Sequence, residues 1–108
     1  MPVRLSVAAV AAFLAGGVIG AQAATYTIVQ RGLQLDKSSM ALAKGDRLIF
    51  TNDDDVIHNI HIFGPGEDEK DLGLQKPKAT LSYVFEKPGS YRVRCNIHPS
   101  IKMAVTVK

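Results

Sequence analysis

The stretch ATLSYVFEKPGSYRVRC, residues 79–95, carries the reading of the fold. Leu81, Tyr83 and Phe85 alternate along its first half, Pro88-Gly89 is turn chemistry, and Tyr91, Val93 and Cys95 alternate with Arg92 and Arg94 along the second. Apolar residues at period two on both sides of a Pro-Gly pair predict a β-hairpin with one apolar face. Successive strand side chains point to opposite sides, so Cys95 shares a side with Tyr91 and Val93.

The same period extends in both directions. Downstream, IKMAVTVK places Ile101, Met103, Val105 and Val107 on one face of a last strand. Upstream, TYTIVQ (Thr25 to Gln30) and RLIFTN (Arg47 to Asn52) read as strands, and MALAKGD predicts that the strand before RLIFTN is joined to it at the Lys44-Gly45-Asp46 turn. VIHNIHIF, residues 56–63, sets His58, Ile60 and Ile62 on one face and His61 on the other. GPGEDEKDLGLQKP, residues 64–77, reads as a long charged loop. No helical period is sustained anywhere. About seven short strands separated by Gly and Pro turns imply an all-β chain, a β-sandwich or Greek-key barrel.

The chain has 108 residues and opens with MPVRLSVAAVAAFLAGGVIGAQAA. Arg4, the apolar run after it and the Ala21-Gln22-Ala23 pattern are the three parts of a secretory signal peptide. Residues 1–23 are therefore expected to be removed, leaving a single domain over residues 24–108. The expected location is the periplasm, with no membrane insertion of the mature chain. A domain this small is marginal on its core alone and gains from a metal or a disulfide. Cys95 is the only cysteine, so an internal disulfide is excluded. The net charge of +3, one unit of which leaves with Arg4, is too small to indicate nucleic acid or a membrane surface as a partner.

The lone thiol has chemistry close by. CNIHPSIKM, residues 95–103, puts His98 three residues after Cys95 and Met103 five residues after His98. Two imidazoles and a thiolate in a plane, with a weak axial donor, form the site that suits copper in electron transfer. Cys95 and His98 can reach one ion because the loop turns between them, and Pro99 restricts His98 to an extended or turn conformation. His58 is the candidate for the second imidazole, because it lies on the apolar face of its strand. Asn59 is placed to hydrogen-bond across to the Cys95 loop. His61, of opposite parity, is expected to point away from the site.

Taken together, AKGDRLIFTN, the His58-Asn59 pair, FEKPGSYRVRC and CNIHP make the chain resemble the cupredoxins, small blue-copper proteins of the plastocyanin, pseudoazurin and amicyanin type. The resemblance implies a Greek-key β-sandwich with one type 1 copper at one end. His58, Cys95 and His98 would be its equatorial ligands and His98 its electron port. It implies a monomeric carrier that passes single electrons between redox partner proteins and is not an enzyme.

The fourth ligand is where the pattern divides. Counted forward from His98, Met103 has the spacing of plastocyanin and pseudoazurin; counted back from Val107, or by the shorter loop of amicyanin, the axial residue is Ile101. The two share a strand face about 6.6 Å apart, so only one can lie at axial distance. The acidic stretches 53–55 and 67–71 read either as a docking surface for a basic partner or as solvated loops. Two other functions compete with the carrier: a periplasmic copper-handling protein, and an enzyme using Cys95 and His98 as a nucleophile pair.

Overall fold

The computed structural model describes residues 22–108 and contains eight strands in two sheets. The expected leader, residues 1–23, lies almost wholly outside the described residues. The smaller sheet holds β1 (Thr25–Gln30), β3 (Arg47–Asn52) and β6 (Thr80–Val84), in the order β1-β3-β6. The larger holds β2 (Ser39–Leu42), β8 (Lys102–Val107), β7 (Gly89–Arg94), β4 (His58–Phe63) and β5 (Glu69–Gln75), in the order β2-β8-β7-β4-β5. β1 runs parallel to β3 and β2 parallel to β8; the remaining pairs are antiparallel. The all-β sandwich expected from the sequence is the observed fold.

Inward residues of the two sheets close one core. Ile28, Leu48 and Phe50 come from the smaller sheet, and Leu42, Ile60, Ile62, Val93, Met103, Val105 and Val107 from the larger. Phe85 lies between them, fully buried, with edge-to-face contacts to Tyr83 at 4.9 Å and to Tyr91 at 5.0 Å.

Three local expectations are corrected. The segments on either side of Pro88-Gly89 are not a hairpin: β6 pairs with β3, whereas β7 pairs with β4 and β8 in the other sheet. Both segments do present their apolar residues to one core, but from opposite walls, and periodicity alone cannot separate a hairpin from a crossover between sheets. Tyr91 Oη donates to Lys87 O at 2.7 Å and fixes the crossover. Gly89 takes φ +140°, where an added Cβ would run into the Pro65 ring. The Gly45 turn likewise carries the chain from β2 in one sheet to β3 in the other.

The third correction is β5, within the stretch read as a loop, which raises the strand count to eight. It lies at the edge of the larger sheet, paired among the described residues with β4 alone, and its register slips between Ile60 and His61. Gly73, at φ +95°, sits at that irregularity. Charge and glycine, which argued against a strand, are what an edge strand carries to discourage pairing with other chains.

Candidate metal centre

The 53–57 connection delivers His58 to one end of the sandwich, and it is held from beneath by buried amides. Asn52 Nδ2 donates to Val56 O at 2.8 Å and to Gln75 O at 2.9 Å. Gln75 Nε2 donates to Phe50 O at 2.6 Å and Ala79 O at 2.8 Å, and Gln75 Oε1 accepts from Gln30 Nε2. Asn52 and Gln75 are fully buried, so these hydrogen bonds are what makes their burial tolerable.

His58 begins β4 with its side chain wholly buried. Its Nε2 lies 2.8 Å from Asp54 Oδ2. A carboxylate accepts hydrogen bonds, so the proton belongs on Nε2 and the Nδ1 lone pair is left free. Asp54 also accepts from Gly32 N at 2.7 Å and Leu33 N at 3.1 Å. Burial disfavours the charged form of Asp54, but the hydrogen bonds from His58, Leu33 and Gly32 outweigh it and hold the carboxyl below its usual range.

Cys95 follows β7 directly and is buried. Asn59 N–H donates to its Sγ at 3.3 Å, and Asn59 Oδ1 accepts from Asn96 N at 2.9 Å. Asn59 thus grips the cysteine loop from β4 with both its main chain and its side chain, as expected from its place beside His58. The loop closes on itself as well: Ile101 N donates to His98 O at 2.9 Å, and Cys95 N to Ile101 O at 3.1 Å.

The three donors converge. His58, Cys95 and His98 place ligand atoms within 4.8 Å of one another. His58 Nδ1 lies 3.2 Å from His98 Nδ1, and Cys95 Sγ lies 3.9 Å from the same His98 nitrogen. A metal bonded at about 2.0–2.1 Å to nitrogen and about 2.3 Å to sulfur sets such donors roughly 3.3–3.8 Å apart. With the His58 proton on Nε2, two imidazole nitrogens face each other across 3.2 Å with at most one proton between them, an arrangement suited to a shared cation. The donor set, two imidazoles and one thiolate, is the one that suits copper.

His98 is half-buried, whereas His58 is not exposed at all, so His98 is the donor nearest solvent. His61 points away, as expected from its parity. It stacks on Phe63 with ring centroids 4.3 Å apart, pairs with Glu69 Oε2 at 2.6 Å and accepts from Asn96 Nδ2 at 2.8 Å through Nδ1. Met103 stands opposite Val93 inside the hydrophobic core, and Ile101 is fully buried in the ligand loop. Of the acidic stretches, Asp53 pairs with Arg31 and Lys78 and Asp68 with Lys87, whereas Asp71 bonds Asn59. The sequence reading missed Asp54, because in an irregular connection its spacing to His58 carries no directional signal.

No protein-family model matches the chain. Among curated proteins it is similar to the methylamine utilization protein MauL of Methylorubrum extorquens, with 27% identity over 104 residues covering 96% of this chain and 91% of that protein. It is 30% identical to amicyanin-alpha of the same organism over 104 residues, covering 94% of this chain and 87% of amicyanin-alpha. The chain belongs to the cupredoxin family. Solved structures carry the same fold. A reduced Cu(I) form, at pH 4, of a proline-to-glycine variant of amicyanin superposes on this cupredoxin with TM-score 0.69 at 21% identity, over 88% of this chain and 90% of that one. A methionine-to-alanine variant of amicyanin with Cu(I) gives 0.70 at 21% identity and the same coverage.

Proposed function

We propose that this cupredoxin is a periplasmic electron carrier holding one type 1 copper ion through His58 Nδ1, Cys95 Sγ and His98 Nδ1. The observation that carries the reading is the convergence of these three donors, from β4 and from the loop between β7 and β8, within 4.8 Å. Copper supplies the one-electron chemistry; the chain supplies a site that neither oxidation state has to rebuild.

Each residue contributes a separate part. Asp54 holds the proton of His58 on Nε2 and so presents Nδ1. The Asn59 N–H stabilises negative charge on the Cys95 sulfur. His98, half-buried on the loop beside exposed Ile97, is the side chain through which an electron passes to a partner. The donor and acceptor are redox proteins, and the chain itself makes and breaks no substrate bond.

Residues 1–23 act as the export signal in this reading. Ala24 N–H donates to the buried carboxylate of Asp46 at 2.8 Å, so cleavage after Ala23 would create an amino terminus already facing a negative charge. Mass measurement of the secreted protein tests the cleavage position.

The function is tested by adding Cu(II) to the purified mature chain and recording visible and EPR spectra. An intense thiolate-to-Cu(II) band with the narrow hyperfine splitting of a type 1 site is expected. Binding of Cu(I) without such a band would replace the carrier by a copper-handling protein.

A further inference from the structure

Trigonal sites of two histidines and a cysteine usually carry a long, weak axial thioether. Resting on the copper reading above, the identity of the axial residue follows from strand register. Antiparallel β7 and β8 pair Val93 with Met103 and Arg94 with Lys102. The ladder continues one step past the strand ends, because Cys95 N donates to Ile101 O at 3.1 Å. Ile101 therefore stands opposite Cys95, and Met103 opposite Val93.

Opposed side chains on one face of an antiparallel pair have Cβ atoms about 4.5–5.5 Å apart, and the next residue on that face lies about 6.6 Å further along the strand. Ile101 is thus the neighbour of the sulfur, and Met103 is one rung removed from it. Packing agrees with register. Met103 belongs to the central hydrophobic cluster with Val93, Val105 and Val107. Ile101 is fully buried but outside that cluster, tied by its main chain to both Cys95 and His98.

We propose that Ile101, not Met103, covers the face of the His58–Cys95–His98 triangle where the thioether would sit, leaving copper without an axial sulfur. A branched hydrocarbon has no lone pair. Cu(II) loses a donor it uses, while Cu(I), stable with three ligands, loses little. The half-reaction Cu(II) + e⁻ → Cu(I) is shifted towards Cu(I), and the reduction potential rises relative to a thioether-ligated site. The carrier then accepts electrons readily and gives them up only to a strongly oxidising acceptor. The partner on the exit side is accordingly a redox protein of still higher potential.

The test compares copper-loaded wild type, Ile101→Met and Met103→Leu by visible and EPR spectroscopy, by X-ray absorption at the copper edge and by potentiometry. Wild type and Met103→Leu are expected to share one spectrum, one potential and a single sulfur neighbour. Ile101→Met is expected to lower the potential and add a second, longer sulfur contact. A band or potential shifted by Met103→Leu overturns the proposal, as does an Ile101→Met protein indistinguishable from wild type. If wild type itself shows no thiolate-to-Cu(II) band, the copper reading falls and this inference falls with it, so the two failures are told apart by the wild-type spectrum.

Discussion

Replacing Asp54 by asparagine changes one atom in a side chain that never touches the metal donors' free lone pairs, yet it should weaken copper binding markedly. The carboxylate accepts three hydrogen bonds, from His58 Nε2, Gly32 N and Leu33 N. An amide has one oxygen for those three donors, and its NH2 can only donate. With its oxygen towards His58 and Leu33 the amide sets its NH2 against the Gly32 N–H and gives His58 a neutral, weaker acceptor; flipped, its NH2 faces His58 and favours the tautomer with the proton on Nδ1, the atom that must be bare to bind a metal. Substitutions at residues that orient metal-bound histidines lower affinity by about 10–100-fold, equivalent to roughly 1.4–2.7 kcal/mol. The apo fold should lose less, about 1 kcal/mol, because Asp54 keeps some solvent contact and water replaces part of what is lost. Competition for Cu(I) against a chromophoric chelator at neutral pH reads the affinity, and urea unfolding of the apo protein reads the stability. Asp53→Asn is the control, since Asp53 pairs with Arg31 and Lys78 at the surface and should leave affinity unchanged. An Asp54→Asn protein whose copper affinity stays within about threefold of wild type would refute the tautomer argument, whatever its stability.

Gln75→Leu removes a fully buried side chain that bonds Phe50 O, Ala79 O and Gln30; chemical denaturation should show a loss of roughly 2–5 kcal/mol. Gly89→Ala, which forces a Cβ against Pro65 at φ +140°, should cost more than about 1 kcal/mol. Calorimetry should register that loss as a fall in Tm of at least about 4 °C. Hydrogen bonds from Lys78 and then Arg31 hold the Asp53 carboxyl below its usual range. A lowered folded-state pKa gives stability that is fully present above the unfolded value of about 3.9 and lost as pH falls through the folded one. The Tm difference between wild type and Asp53→Asn should therefore shrink as the pH is lowered from 5 towards 2, and a constant difference would show that the pairs contribute nothing through charge.

The parts of the site that were legible in the sequence are those governed by parity along one strand. His58 faces inward with Ile60 and Ile62, His61 faces outward, and Cys95 continues the line of Tyr91 and Val93; alternation fixes each of these without knowledge of any partner strand. What was not legible depends on which strand lies beside which. Residues 79–95 have the same alternation whether they fold back on themselves or cross between sheets, and only pairing with β3 on one side and with β4 and β8 on the other decides it. β5 was hidden because an edge strand satisfies its main chain on one side only and carries the charge and glycine of a loop. Asp54 was hidden because its reach to His58 is set by the path of an irregular segment. The proposed choice of Ile101 over Met103, too, rests on register, which alternation cannot supply.

The same register explains how the site can be rigid without a metal to hold it. Six residues after Cys95 the chain is back beside it at Ile101, so the loop carrying His98 is clamped at its base by the Cys95–Ile101 hydrogen bond and internally by the Ile101–His98 bond. Asn59 ties this loop to β4 and Asp54 ties His58 to the 31–33 segment, so His58 and Cys95 have side-chain anchors that owe nothing to the ion, while His98 is held through its main chain. A donor set anchored in this way has little freedom to relax towards the geometry either oxidation state prefers alone. Small rearrangement between the two states is the physical requirement for fast electron exchange. In the proposed carrier, strand pairing and two side-chain hydrogen-bond anchors serve that requirement, with the buried amides of Asn52 and Gln75 bracing the connection that brings His58 in.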